Sequence, residues 1–276
     1  MNTQVKFTSL KTNKFIQFIV YSNLWISIGS ALLCWQVFYL NKLEFNLNYF
    51  LFVLFSTLVS YTFQRLFRLK SIAKFNNKAW VVLNKKTAII LTVIGVIGAL
   101  CTLPQFLSFS ILWWLIPSGI ISLLYSLKRL RDTPYVKIFL ISISWGVICG
   151  VIPFILAENY DTTKILFNFI IITCYIMAIT IPFDIRDVGL DEDKKRTIPQ
   201  VMGVTNAKTS ALVILGISLV LFQSIFNPLQ SILYIISSLI SGYLIYNSNK
   251  GSPDIYFTLW IDGHIIFQFL LIFFLS

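Results

Sequence analysis

The reading of this chain turns on Asp184-Ile185-Arg186-Asp187-Val188-Gly189-Leu190-Asp191, which runs on through Glu192-Asp193-Lys194-Lys195-Arg196-Thr197-Ile198-Pro199. Five of the eleven acidic residues fall in these sixteen positions, directly after a long apolar run. Asp184, Asp187 and Asp191 stand at i, i+3 and i+7, so a helix carries all three on one face. Carboxylates on one stripe repel each other unless a cation sits among them. A hard ion such as Mg²⁺ takes oxygen ligands, commonly one or two carboxylates together with substrate phosphates. A solvated acidic helix end, compensated by the basic run behind it, is the alternative. The stretch by itself leaves both open.

Working outward, the 276 residues are 57% apolar and only 12% charged. That balance describes a polytopic membrane protein, not a soluble domain. Nine apolar stretches approach the roughly 20 residues needed to cross a hydrocarbon core. They lie near 15–40, 46–63, 87–104, 107–126, 136–157, 164–183, 207–226, 229–247 and 254–275. The expected fold is therefore all-α, one integral membrane domain over 1–276. It has two four-helix halves, about 15–126 and 136–247, and a ninth helix over 254–275.

Charge orients the spans. The N-terminal arm and every second connection hold 20 of the 22 Lys and Arg, while the opposite side has only Lys42 and Lys164. By the positive-inside rule the N-terminus is expected in the cytoplasm and Ser276 outside, in a bacterial inner membrane. The net charge of +11 is thus a topology signal that requires no nucleic acid, though a basic face also attracts anionic lipid. The four cysteines, at 34, 101, 149 and 174, have no paired spacing and read as small apolar helix residues.

The connections on the basic side are the longer ones. Loop 2–3, about Gln64 to Lys86, carries seven basic residues, Arg65 and Arg68 among them, and no acid. Loop 4–5 reads Tyr125-Ser126-Leu127-Lys128-Arg129 and ends on Thr133-Pro134, a helix-start signal. Pro182, two residues before Asp184, is expected to kink its helix and aim the acidic stripe into the bundle. Arg186 is expected to point away from that stripe, toward lipid headgroups. Asp262 and His264, the only histidine, lie inside the last span. Intramembrane ionisable groups mark functional sites or hydrogen-bonded neighbours. At i, i+2 these two do not face each other.

Asp184-x-x-Asp187-x-x-x-Asp191, followed by Lys195-Arg196-Thr197-Ile198-Pro199 and Met202-Gly203, resembles the second Asp-rich motif and tail of the UbiA superfamily of membrane prenyltransferases. Tyr125-Ser126-Leu127-Lys128-Arg129 is similar to that family's Tyr-and-Lys motif, one residue tighter than its usual spacing. The resemblance implies a helical bundle around a central cavity open to the cytoplasm and to lipid. It implies Mg²⁺ held by two Asp motifs against a prenyl diphosphate, and an allylic cation that alkylates an apolar or aromatic acceptor. Carried onto this chain, it makes Asp184, Asp187 and Asp191 the Mg²⁺ ligands and, with Lys128, the catalytic set. Arg65, Arg68, Tyr125, Lys128, Arg129, Lys195 and Arg196 become the substrate contacts. Membrane lipid is a further expected neighbour; a protein partner is undetermined.

The chain departs from the family at the first Asp motif. An offset of 123 residues places its three Asp positions on Tyr61, Gln64 and Arg68, and no Asp or Glu occurs from Phe45 to Arg131. Arg65, Arg68 and Lys70 then replace one metal by gripping the diphosphate directly, since Arg matches phosphate oxygens bidentately. Alternatively, the chain is a degenerate relative that binds a prenyl lipid or quinone, or serves as a membrane partner. A cation- or proton-coupled carrier is a third reading, suggested by the acidic residues and by the 123-residue offset.

Overall fold

The computed structural model describes residues 13–67, 69–70, 72, 79–126, 135–188 and 197–276, without the side chains of 122–126. Its helices are α1 (Lys14–Tyr21), α2 (Leu24–Leu40), α3 (Leu47–Phe67), α4 (Trp80–Leu83), α5 (Lys85–Thr102) and α6 (Phe109–Ser126). Then come α7 (Val136–Trp145), α8 (Ile152–Leu156), α9 (Thr162–Asp187), α10 (Ile198–Ile225), α11 (Pro228–Asn247) and α12 (Gly263–Leu275). No strand occurs among the described residues. A chain that must satisfy its backbone inside lipid has the helix as its open-ended solution.

Seven helical segments are long and apolar enough to cross a membrane, and an eighth is obtained if the bent pair α1–α2 counts as one span. The expected count of nine is not reached among the described residues, where the fourth stretch contributes Phe109–Ile121, a shorter apolar helix. The first expected span, 15–40, is also not a single rod. It bends by 59° between α1 and α2. Asn23 stands at the break with φ 70°, a left-handed conformation that Asn tolerates better than most residues. Its side-chain amide donates to Thr62 Oγ1 at 3.1 Å, which fixes the bend against α3.

Sequence signals set the other boundaries. Asp161 caps α9 by accepting from Lys164 N–H at 3.1 Å, and Asn227 caps α11 by accepting from Gln230 N–H at 2.9 Å. Pro228 and Pro199 occupy first-turn positions, where a missing N–H is harmless. Helix α9 runs as one element through Pro182 to Asp187. Helix α10 is broken at Gly203, whose φ of 81° suits a residue without a Cβ.

Antiparallel succession gives the bundle two ends. Tyr21, Phe67, Asp187, Ile198 and Asp254 share one, called the motif end below. Asn41, Asn168 and Ser276 share the far end, where Asn41 donates to Asn168 Oδ1 at 3.2 Å. Helix α9 packs along α10 and against α7. The approach to α9 is close just past α7, at Gly146 and Gly150, where an added Cβ meets Thr173 Oγ1 and the Asn168 backbone.

Two π-helical turns, Gly146–Val151 and Tyr256–Ile261, widen the helix on either side of α9. Such turns loosen the regular backbone ladder. In each, a ring donor from the N-terminal helices reaches a carbonyl of the turn. Tyr49 Oη donates to Ile148 O at 2.7 Å, and Trp25 Nε1 donates to Leu259 O at 3.1 Å. In lipid, interhelical bonds of this kind do work that hydrophobic burial cannot.

Candidate active site

Asp184 and Asp187 sit at the motif end of α9, as the periodicity requires. Their surroundings are more specific than a stripe of free carboxylates. Asp184 is buried, its side chain 3% exposed, and Lys137 Nζ lies 2.6 Å from its Oδ1. Lys137 belongs to the first turn of α7, which packs against α9. An ionised carboxylate taken alone to this depth costs several kcal/mol, so a matched cation is the physical condition for its charge.

Asp187 is paired differently. Arg186 Nε donates to Asp187 Oδ1 at 2.8 Å, and Arg186 Nη1 donates to Asp254 Oδ1 at 2.7 Å. The same guanidinium lies over the Phe183 and Phe257 rings, 5.2 and 5.6 Å from their centroids. A planar cation held between two rings and two carboxylates has little freedom. The expectation that Arg186 faces away toward headgroups is therefore corrected. Its long side chain turns inward and joins α9 to the start of the last span.

Arg65, near the end of α3, donates through Nη1 to Tyr21 O at 2.7 Å. It makes no ion pair within 4.0 Å among the described residues, yet it feels the charges of Asp254, Asp262 and Arg186. A guanidinium fork with one donor on a backbone carbonyl keeps further donors for an anion. Of the other expected site residues, Arg68, Lys128, Arg129, Asp191, Lys195 and Arg196 lie outside the described residues. For Tyr125 only the backbone is described, within α6.

In the last span, His264 is buried and hydrogen-bonded. Its Nδ1 is 2.9 Å from Tyr175 Oη and 2.8 Å from Ser241 Oγ. Asp262 instead lies within the field of Arg65 and Arg186. The two neighbours thus serve separate clusters, in keeping with their i, i+2 spacing.

Among the described residues no group of three or more His, Cys, Asp or Glu side chains comes together. The donor set nonetheless fits Mg²⁺. Asp184 and Asp187 are hard oxygen donors one turn apart on a single helix, and this ion is often held by one or two carboxylates plus phosphate.

A family model described as the UbiA prenyltransferase family matches residues 82–260. The chain belongs to the UbiA prenyltransferase family. The family match takes in Asp184 and Asp187 and starts beyond α3, so the segment that lacks the first Asp motif lies outside it. A UbiA homologue from Archaeoglobus fulgidus, solved bound to GPP and Mg²⁺, is similar in fold, with a TM-score of 0.63 at 16% identity. That likeness covers 92% of this chain and 99% of the other. A digeranylgeranylglyceryl phosphate synthase gives 0.58 at 16% identity, covering 95% of this chain and 99% of its own. The apo UbiA homologue from Aeropyrum pernix K1 gives 0.56 at 13%, covering 93% of each. No curated protein sequence matches.

Sequence reasoning missed Lys137 and Asp254. Lys137 reads as the entry to a span and Asp254 as a helix-opening acid. Each acquires meaning only from a partner far along the chain, 47 residues away for Lys137 and 68 for Asp254.

Proposed function

We propose that this UbiA-family chain transfers an isoprenyl group from a prenyl diphosphate to an apolar or aromatic acceptor within a membrane. The observation that carries the reading is the placement of Arg65 at the same end of the bundle as Asp184 and Asp187. It brings a guanidinium with unused donors to the end of α3, where the family's first Asp motif is lost.

In this reading Asp184 and Asp187, with Asp191, hold Mg²⁺, which when bound neutralises charge on the departing diphosphate. Arg65 grips diphosphate oxygens through its fork, aided by Arg68, Lys128, Arg129, Lys195 and Arg196. Charge grows on the leaving group as the carbon–oxygen bond breaks, so fixed cations there favour the transition state over the ground state. Arg186, held by Asp254 and two rings, fixes the Asp187 carboxylate. Lys137 pairs with the Asp184 carboxylate. In this reading the motif end faces the cytoplasm of a bacterial inner membrane, which the basic connections support through the positive-inside rule.

The partners of Asp184 and Asp187 favour one second reading. Both carboxylates already carry a cation from the chain itself, which suits a relative that holds a prenyl lipid or quinone without turning it over. The experiment that separates the two is calorimetric binding of geranyl and farnesyl diphosphate with and without Mg²⁺, followed by product analysis with aromatic acceptors. Saturable, Mg²⁺-dependent binding and a prenylated product support the transferase. Binding without product over the acceptor panel supports the second reading, and absence of diphosphate binding removes the transferase.

A further inference from the structure

The far half of the bundle holds a cavity that the reading above does not use. It is about 10 Å³, room on the scale of one water molecule. Five polar side chains line it: Gln36 from α2, Asn168 and Tyr175 from α9, Tyr234 from α11 and Gln268 from α12. The remaining walls are aliphatic and phenyl, and none of the lining residues is charged. Along α9, Tyr175 lies nine residues from Asp184, or about 14 Å at the helical rise, so the cavity is separate from the motif end.

Most of these polar groups are already bonded. Asn168 exchanges hydrogen bonds with Asn41, and Tyr234 Oη lies 2.6 Å from Ser218 Oγ. Tyr175 Oη reaches His264 Nδ1, and Gln268 Oε1 accepts from Ser237 Oγ at 3.3 Å. Gln36 is the exception. It is 4% exposed, and its Oε1 is buried without a hydrogen-bond partner. An amide oxygen so placed has no protein donor, and native structures rarely leave such a buried group unsatisfied.

We propose that this cavity is a binding site for one neutral hydroxyl donor, which bonds Gln36 Oε1. A water molecule and the hydroxyl head of a membrane-borne alcohol share that chemistry. The size of the space admits the hydroxyl group itself, and the lack of charged walls excludes an anion such as diphosphate. With the donor in place, Gln36 Oε1 is satisfied, as the other polar side chains lining the cavity already are. This inference does not depend on prenyl transfer.

The test is a structure of the full chain at a resolution that shows ordered water, with parallel melts of the detergent-extracted protein in the presence of farnesol. Density within hydrogen-bond distance of Gln36 Oε1, with a melting midpoint indifferent to farnesol, establishes water as the ligand. A concentration-dependent rise in the midpoint that Gln36→Leu abolishes establishes the alcohol, because a ligand that binds only the folded chain stabilises it by mass action. No density at Gln36 and no response to farnesol overturns the proposal. Should Gln36→Leu fail to fold, the density in the parent chain decides.

Discussion

Replacing Lys137 with Met tests the ion pair it makes with the buried Asp184. Met preserves the length and apolar stem of lysine while removing its ammonium, so packing against α9 is largely retained. The pair is close, at 2.6 Å, and Asp184 is almost fully enclosed, whereas the Lys137 side chain is 15% exposed. Breaking a buried pair by removing one partner costs 3–5 kcal/mol, and the partial exposure of Lys137 places the expectation at the lower end, about 3 kcal/mol. At roughly 2–4 °C per kcal/mol for a chain of this size, the apparent melting midpoint in detergent falls by about 6–12 °C. Lys137→Met combined with Asp184→Leu removes both members of the pair, and recovers most of that loss. The assay is a thermal melt of the four proteins of this cycle, read by intrinsic tryptophan fluorescence. A single Lys137→Met variant as stable as the parent, or a double variant no better than the single, refutes the claim that Lys137 compensates Asp184.

Further outcomes follow from the same geometry. Asp187→Ala abolishes Mg²⁺-dependent binding of a prenyl diphosphate while the protein remains folded, as titration calorimetry and gel filtration on the same sample will show. Arg65→Gln weakens diphosphate binding at least tenfold at saturating Mg²⁺, since about 1.4 kcal/mol is already tenfold and a charged hydrogen bond exceeds that; unchanged affinity removes Arg65 from the grip. Asp254→Asn, which loosens the hold on Arg186 without touching Asp187, raises the Mg²⁺ concentration needed for half-maximal binding, whereas an effect on stability alone leaves that midpoint in place. Gly98→Ala puts a Cβ 2.5 Å from the Phe55 ring at the α3–α5 contact and lowers stability by about 1–3 kcal/mol, measurable as an earlier melt.

What the sequence allowed, and where it stopped, follows from the range of each interaction. Helix content and membrane placement rest on runs of apolar residues, which are local. The Asp184-x-x-Asp187 spacing is local too, and α9 carries both residues at its end as read. The bend at Asn23 was not legible, because one hydrophobic run covers both arms and only a left-handed Asn with a partner on α3 breaks it. The two π turns leave no compositional trace; a tyrosine and a tryptophan that reach their carbonyls from α3 and α2 show why they persist. The misjudged direction of Arg186 has the clearest lesson. A helical wheel assigns a side chain to the side of its Cβ, yet a guanidinium on a three-carbon stem can swing back to the carboxylate of the next residue. What draws it there is Asp254 and the Phe257 ring, which no local pattern connects to it.

The Arg186–Asp254 link also bears on how the protein comes to be made. The two residues are 68 positions apart, and the later one stands just before the last span. At roughly 5–20 residues per second, the ribosome reaches Asp254 some 3–14 seconds after Arg186. During that interval the nascent chain has its acidic motif but not the clasp that holds it. A chain that stalls before the last helix therefore leaves the motif end unfastened, so the finishing of this site is tied to the completion of synthesis.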